Sequence, residues 1–120
     1  MEEQKIIEGE ILIAKFDGWE SGRFQNLPNK LHKMVNNELH GISINSLCYS
    51  SDWNELMRVV EKIELLGYVV IIQQRSCYIQ SHDTRSVIST AQFFDSKIET
   101  VWTAVVSFIE HYTTTKKNKS

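Results

Sequence analysis

Cysteine is scarce in this chain, charge of either sign is nearly balanced, and no long apolar run occurs. Cys48 and Cys77 are the only two thiols in 120 residues, too few and too far apart for a metal knuckle or a redox pair. One bridge between them is arithmetically open. The N-terminus, MEEQKIIEGE, lacks the basic lead and clean apolar stretch of a signal peptide, so both thiols are expected to be reduced in a cytoplasmic protein. No apolar segment approaches the roughly 20 residues that a membrane span needs. Thirteen lysines and arginines stand against 15 acidic residues, a formal charge of -2, which gives no general attraction to a polyanion such as nucleic acid. The one basic cluster, Lys116, Lys117 and Lys119, reads as a solvated, fraying tail over residues 113–120.

What is present is helical and strand periodicity enough for one core. A chain of this length suits a single domain over residues 1–112, because two cores of about 60 residues each would be marginal. The strongest signal is YSSDWNELMRVVEKIELLGY, residues 49–68. Asp52 and Glu55 have capping-box spacing, and Trp53, Leu56, Met57, Val60, Ile63 and Leu66 recur at helical intervals. Gly67 supplies the left-handed stop, with Tyr68 placed to lie on Ile63. A final helix over residues 96–112 starts at a second capping box, Ser96 and Glu99, and turns Ile98, Val101, Trp102, Val105, Ile109 and Tyr112 inward. A first helix over residues 3–16 places Ile7, Ile11 and Ala14 on one face and Glu3, Glu10 and Lys15 nearer the other. Alternation of Leu12, Ala14 and Phe16 leaves a strand as its competitor.

Between the helices, residues 69–73 form a β-branched, nearly continuous apolar run, the composition of a strand covered on both faces or central in a small sheet. Residues 77–80 and 87–90 read as two further strands. The connections are too short for crossover helices, so the three predict an antiparallel meander. Pro28 suits the start of a short turn or helix through residue 35, ended by Asn36 and Asn37, with a short strand or extended arm in residues 41–49. The expected class is α+β, three helices covering a small antiparallel sheet as a three-layer α/β/α sandwich.

No residue set has the spacing of a reaction. Trp53, Trp102, Phe108 and Tyr112 follow helical periodicity and read as core; a stacking platform for single strands would be interleaved with basic residues. His32, His40, His82 and His111 are scattered without metal-ligand spacing, so no metal or cofactor is expected. Cys48 precedes a helix N-terminus, which lowers a thiol pKa, yet no partner base accompanies it and a small buried hydrophobe is the simpler role. The densest polar group, His82, Asp83, Thr84 and Arg85, lies in an inter-strand connection. As an ordinary turn it needs no ligand; as a site, Arg75 and Arg85 near the strand ends would bind a phosphate or carboxylate beside His82 and Asp83. In the loop over residues 17–26, Trp19, Arg23 and Phe24 are a mixture common at interaction hot spots, although the aromatics serve equally as anchors to the core.

The segment Leu47, Tyr49, Ser51, Trp53, Leu56, Met57 and residues 59–64 resembles the signature of the phage ABA sandwich domain family, small proteins encoded by bacteriophages and prophages, especially of gut Bacteroidales. Residues 13–16 with Gly18 and Trp19, and Ser96 to Glu99 with Ala104, Val105, Val106, Phe108, Ile109 and Tyr112, resemble it too; together these pieces cover about a third of the chain. Glu55 and Arg58 stand where the family often has a tryptophan and a proline. The resemblance implies an α/β/α sandwich of phage or prophage origin and no catalytic assignment. The expected function is therefore a non-enzymatic accessory protein of the host cytoplasm that binds another protein or a second copy of itself. A small-ligand binder, of a nucleotide or other phosphorylated molecule, is the alternative; an enzyme would need distant histidines or carboxylates to converge in one cleft.

Overall fold

The computed structural model describes residues 3–20, 30–84, 86–92 and 96–118. The protein is α+β, and the described residues form three α-helices and two antiparallel sheets, one of two strands and one of three. The chain divides into two compact units, Met1–Cys48 and Tyr49–Ser120.

The first unit contains helix α1 (Glu3–Phe16), strands β1 (Lys30–Val35) and β2 (Glu38–Ser43), and one 3₁₀ turn, Ile44–Ser46. Helix, rather than strand, wins in residues 3–16, but its buried face is rotated from the one expected. Gly9, Glu10, Ile13 and Ala14 are buried while Ile7 and Ile11 are half-buried, so Glu10 lies inside instead of outside. The helix ends in a complete glycine stop: Gly18, at φ 106°, donates to the Lys15 carbonyl at 3.2 Å and Trp19 to that of Ala14 at 2.9 Å.

Residues 30–35 form a strand, not the expected short turn or helix. Leu31, Met34 and Val35 imitate helical spacing, but Asn36 and Asn37 adopt φ 52° and 68°, the left-handed pair that a two-residue type I′ hairpin requires. Asparagine tolerates that region because its short side chain adds little steric cost. The turn pairs Val35 with Glu38 and sets the register down to Lys30 opposite Ser43, so β2 begins three residues before the expected extended segment.

The second unit runs α2 (Trp53–Leu65), β3 (Tyr68–Ile72), β4 (Ser76–Ser81), β5 (Val87–Gln92) and α3 (Lys97–Asn118). Its sheet is the predicted meander, in the order β3-β4-β5. Asp52 caps α2 by accepting from the Asn54 amide at 2.9 Å, while Glu55 turns to Arg58 at 2.8 Å. Gly67, at φ 98°, donates to the Glu64 carbonyl at 3.1 Å and ends the helix as predicted. Tyr68 then meets α3: its ring stands edge-on to Phe108 at 4.8 Å and to Tyr112 at 6.4 Å. Ser96 caps α3 through a 3.2 Å bond from the Glu99 amide, and the helix continues to Asn118, beyond the expected end at 112.

The core of this unit lies between α3 and the sheet. Val101, Trp102, Ala104, Val105, Phe108 and Ile109 are buried against Cys77 and Ile79 of β4 and Ala91 of β5, and α2 adds Leu56, Val59, Val60 and Ile63. Ser89, on the same side of the sheet, donates to the Ala104 carbonyl at 2.6 Å, satisfying a buried hydroxyl. The central strand is β4. The apolar strand β3 is at the edge and half-buried along its whole length, contrary to the central or doubly covered position its composition predicts.

Gly67 has nothing within 4 Å of an added Cβ, so Gly67→Ala should cost the backbone strain alone, about 1 kcal/mol, read as a lower urea midpoint. Burial pushes the Cys77 thiol from 9.0 up to about 11. Above pH 9 the unfolded chain releases this proton and the folded chain keeps it, so stability should fall as pH rises from about 9 toward 11. That component, at most roughly 2–3 kcal/mol, should be missing when Cys77→Ala is compared with wild type by denaturation at pH 7, 9 and 10.5.

Candidate interaction surface

The hairpin of the first unit is buried at its base and exposed at its tip. Near the base, Leu31 and His32 are buried, and His32 exchanges two 2.8 Å backbone hydrogen bonds with Glu20, which extends the sheet there by one residue pair. The Glu20 carboxylate lies 3.5 Å from Nε2 of His32. Lys33, the next residue along β1, reaches back over the end of α1: its Nζ is 3.9 Å from the buried Asp17 carboxylate and 5.7 Å from the centre of the Trp19 ring. Such an ammonium between carboxylate and ring face is favoured at both contacts. Trp19 is therefore half-buried as an anchor of the hairpin base, while Arg23 and Phe24, the other expected hot-spot residues, lie outside the described residues.

Toward the turn the exposure reverses. Met34 and Leu39 face each other directly across the two strands and are 53% and 45% exposed, while Val35, 39% exposed, pairs with Glu38 on the opposite face. Two large apolar side chains exposed together on one face of a hairpin tip form an accessible pair, unlike a lone exposed leucine, which needs no explanation. His40 and Glu38, 3.8 Å apart, give the same arm a polar margin. The expected loop site, residues 17–26, does not include this tip, because the spacing of residues 29–35 also fits a turn or helix; the Asn36 and Asn37 pair between two apolar stretches is the signal that identifies it.

Of the expected anion-site residues that are described, Arg75 is not brought together with His82 and Asp83. Arg75 lies in the β3–β4 connection, whereas His82 and Asp83 lie in the β4–β5 connection. These turns sit at opposite ends of β4, a six-residue strand, roughly 17 Å apart. His82 and Asp83 are both exposed, with Nδ1 3.7 Å from the carboxylate, the geometry of a surface turn. Arg85 lies outside the described residues. The β3–β4 connection is occupied instead by a local network in which Ser76 and Tyr78 both donate to the Gln73 side-chain carbonyl, at 2.9 and 2.8 Å.

The two cysteines are not joined in a disulfide; Cys77 is buried with a raised pKa and Cys48 is half-buried. Among the described residues no three His, Cys, Asp or Glu side chains gather into a metal-holding cluster, and no helix is long and apolar enough to cross a membrane. Comparison with protein-family models, with curated proteins and with solved structures finds no match to this chain.

The hairpin base depends on Gly18, whose added Cβ would come within 3.3 Å of Lys33 Cε at a left-handed φ. Gly18→Ala should cost about 1–2 kcal/mol and draw the Lys33 side chain away from Trp19. The loss of ring-current shifts on the Lys33 methylenes in the NMR spectrum would report it.

Proposed function

We propose that this protein acts by binding and not by catalysis, and that the tip of the β1–β2 hairpin is its contact surface for a protein partner. The single observation that carries the proposal is the cross-strand apolar pair Met34 and Leu39, exposed at the tip of a two-stranded hairpin whose base is buried. A hairpin with a fixed register loses little conformational freedom on binding, so its apolar tip contributes more of its burial energy to association than a flexible loop would. Met34 suits such a role because its unbranched thioether adapts to irregular partner surfaces. The near-balanced charge of the chain favours a protein over a polyanionic partner.

The resemblance of residues 47–64 to the phage ABA sandwich family supports an accessory role in a phage or prophage, in the host cytoplasm, with the helices and sheets in a three-layer arrangement. A small phosphorylated ligand is less well supported, because the two turns that would supply Arg75 and His82 are separated by the length of β4.

The direct test is affinity capture of the tagged full chain from host cells beside the double variant Met34→Ser/Leu39→Ser. Both side chains are exposed, so the variant should keep its melting temperature within a few degrees. A stoichiometric protein retained by the wild type should be lost from the variant. Equal retention by both would remove the hairpin tip from the proposal, and a wild type that retains no protein would remove the binding reading itself.

A further inference from the structure

The strand with the most apolar sequence occupies the edge of the second unit's sheet. Tyr68–Ile72, YVVII, has no charge, no proline and no bulge, the devices by which edge strands are ordinarily kept from pairing. The other edge differs: β5 carries a register shift where Gln80 pairs with Val87, and its Thr90 and Gln92 are exposed.

The open side of β3 can be defined atom by atom. Gln73 donates to the Ser76 carbonyl at 2.8 Å, and His82 donates to that of Gly67 at 3.2 Å, so hydrogen-bonded pairs with β4 fall at odd-numbered residues of β3. Antiparallel ladders alternate, and the N–H and C=O groups of Tyr68, Val70 and Ile72 consequently point away from β4. Among the described residues no strand pairs with them.

We propose that β3 is the seam of a homodimer, in which two copies pair antiparallel about a two-fold axis at Val70. Val70 then exchanges both backbone bonds with Val70 of the second copy, and Tyr68 does the same with Ile72 at each side. All six outward groups are satisfied, and the side chains opposite one another are Tyr68 with Ile72 and Val69 with Ile71, the aromatic and β-branched pairs that stabilise sheets. The two three-stranded sheets become one of six strands with β3 at its centre, the position its composition fits. A second copy is the occupant because the edge is self-complementary: with no charge on it, like meets like without repulsion, and the symmetry closes after two chains. This seam belongs to the second unit and the hairpin tip to the first, and it extends the binding reading to a second copy of the chain.

Sedimentation equilibrium of the full chain, from micromolar to near-millimolar concentration, should show a species of twice the 14.0 kDa chain mass. Val69→Lys/Ile71→Lys places lysines opposite lysines across the seam and should raise the dimer dissociation constant roughly tenfold or more. Val69→Glu/Ile71→Glu should do the same, and an equimolar mixture of the two variants should restore the dimer by opposite-charge pairing. That recovery separates a broken seam from a misfolded chain, and circular dichroism of each variant checks its helices. A wild type that stays monomeric overturns the inference, as does a dimer indifferent to the lysine pair or variants that fail to recombine. None of these outcomes touches the hairpin capture experiment, whose failure is read independently.

Discussion

A helix that is apolar around half its circumference cannot stay in water, and α3 is such a helix. It buries Val101, Trp102, Ala104, Val105, Phe108 and Ile109, and even Thr100, over three turns. Each large side chain of that set removes on the order of 1.5–3 kcal/mol of exposed apolar surface from water, which no surface ion pair of this protein approaches. The rest of the second unit follows from what must cover that face. Cys77 and Ile79 are at 0% exposure because β4 is the strand beneath the helix, and the Ser89 hydroxyl reaches the Ala104 carbonyl because helix and sheet lie close enough to exclude water. Tyr68 closes the end of the same layer by standing edge-on to Phe108, itself stacked on Tyr112 at 5.7 Å.

Both helix-to-chain reversals depend on glycine in the left-handed region. Gly18 turns the chain back so that Trp19 bonds to the last turn of α1, and Gly67 turns it directly into β3. The hairpin of the first unit solves the same geometric problem with two asparagines. These short reversals fix register, and register fixes which side chains meet: with Val35 opposite Glu38, Met34 must face Leu39 at the tip and His32 must face Gly41 near the base. Shifting one strand by a single residue would exchange the faces and dismantle both the buried base and the apolar tip.

The surfaces that remain are of two kinds, side chains at the hairpin tip and backbone along the edge of β3. The first offers apolar area and the second offers directional hydrogen bonds, which are the two currencies of protein association. Polar residues that sequence proximity grouped together do not form a comparable surface, since the ends of β4 hold Arg75 apart from His82 and Asp83.

By itself the sequence determined what neighbouring residues determine: the Asp52 cap, the Gly67 stop, the inward stripe of α3 and the three-strand meander. Each of these is carried by interactions within a few positions, so local spacing is sufficient information. Only the tertiary structure decided that Leu31, Met34 and Val35 belong to a strand, because helical and strand patterns coincide over so short a run and pairing with β2 arbitrates between them. The same holds for Glu10 and Asp17, charged residues buried by packing that local polarity cannot foresee. Strand β3 marks the boundary most clearly. Its apolar composition asks for neighbours on both sides, but which strand lies across an edge is set by chain closure over long sequence separations, and among the described residues only β4 pairs with it.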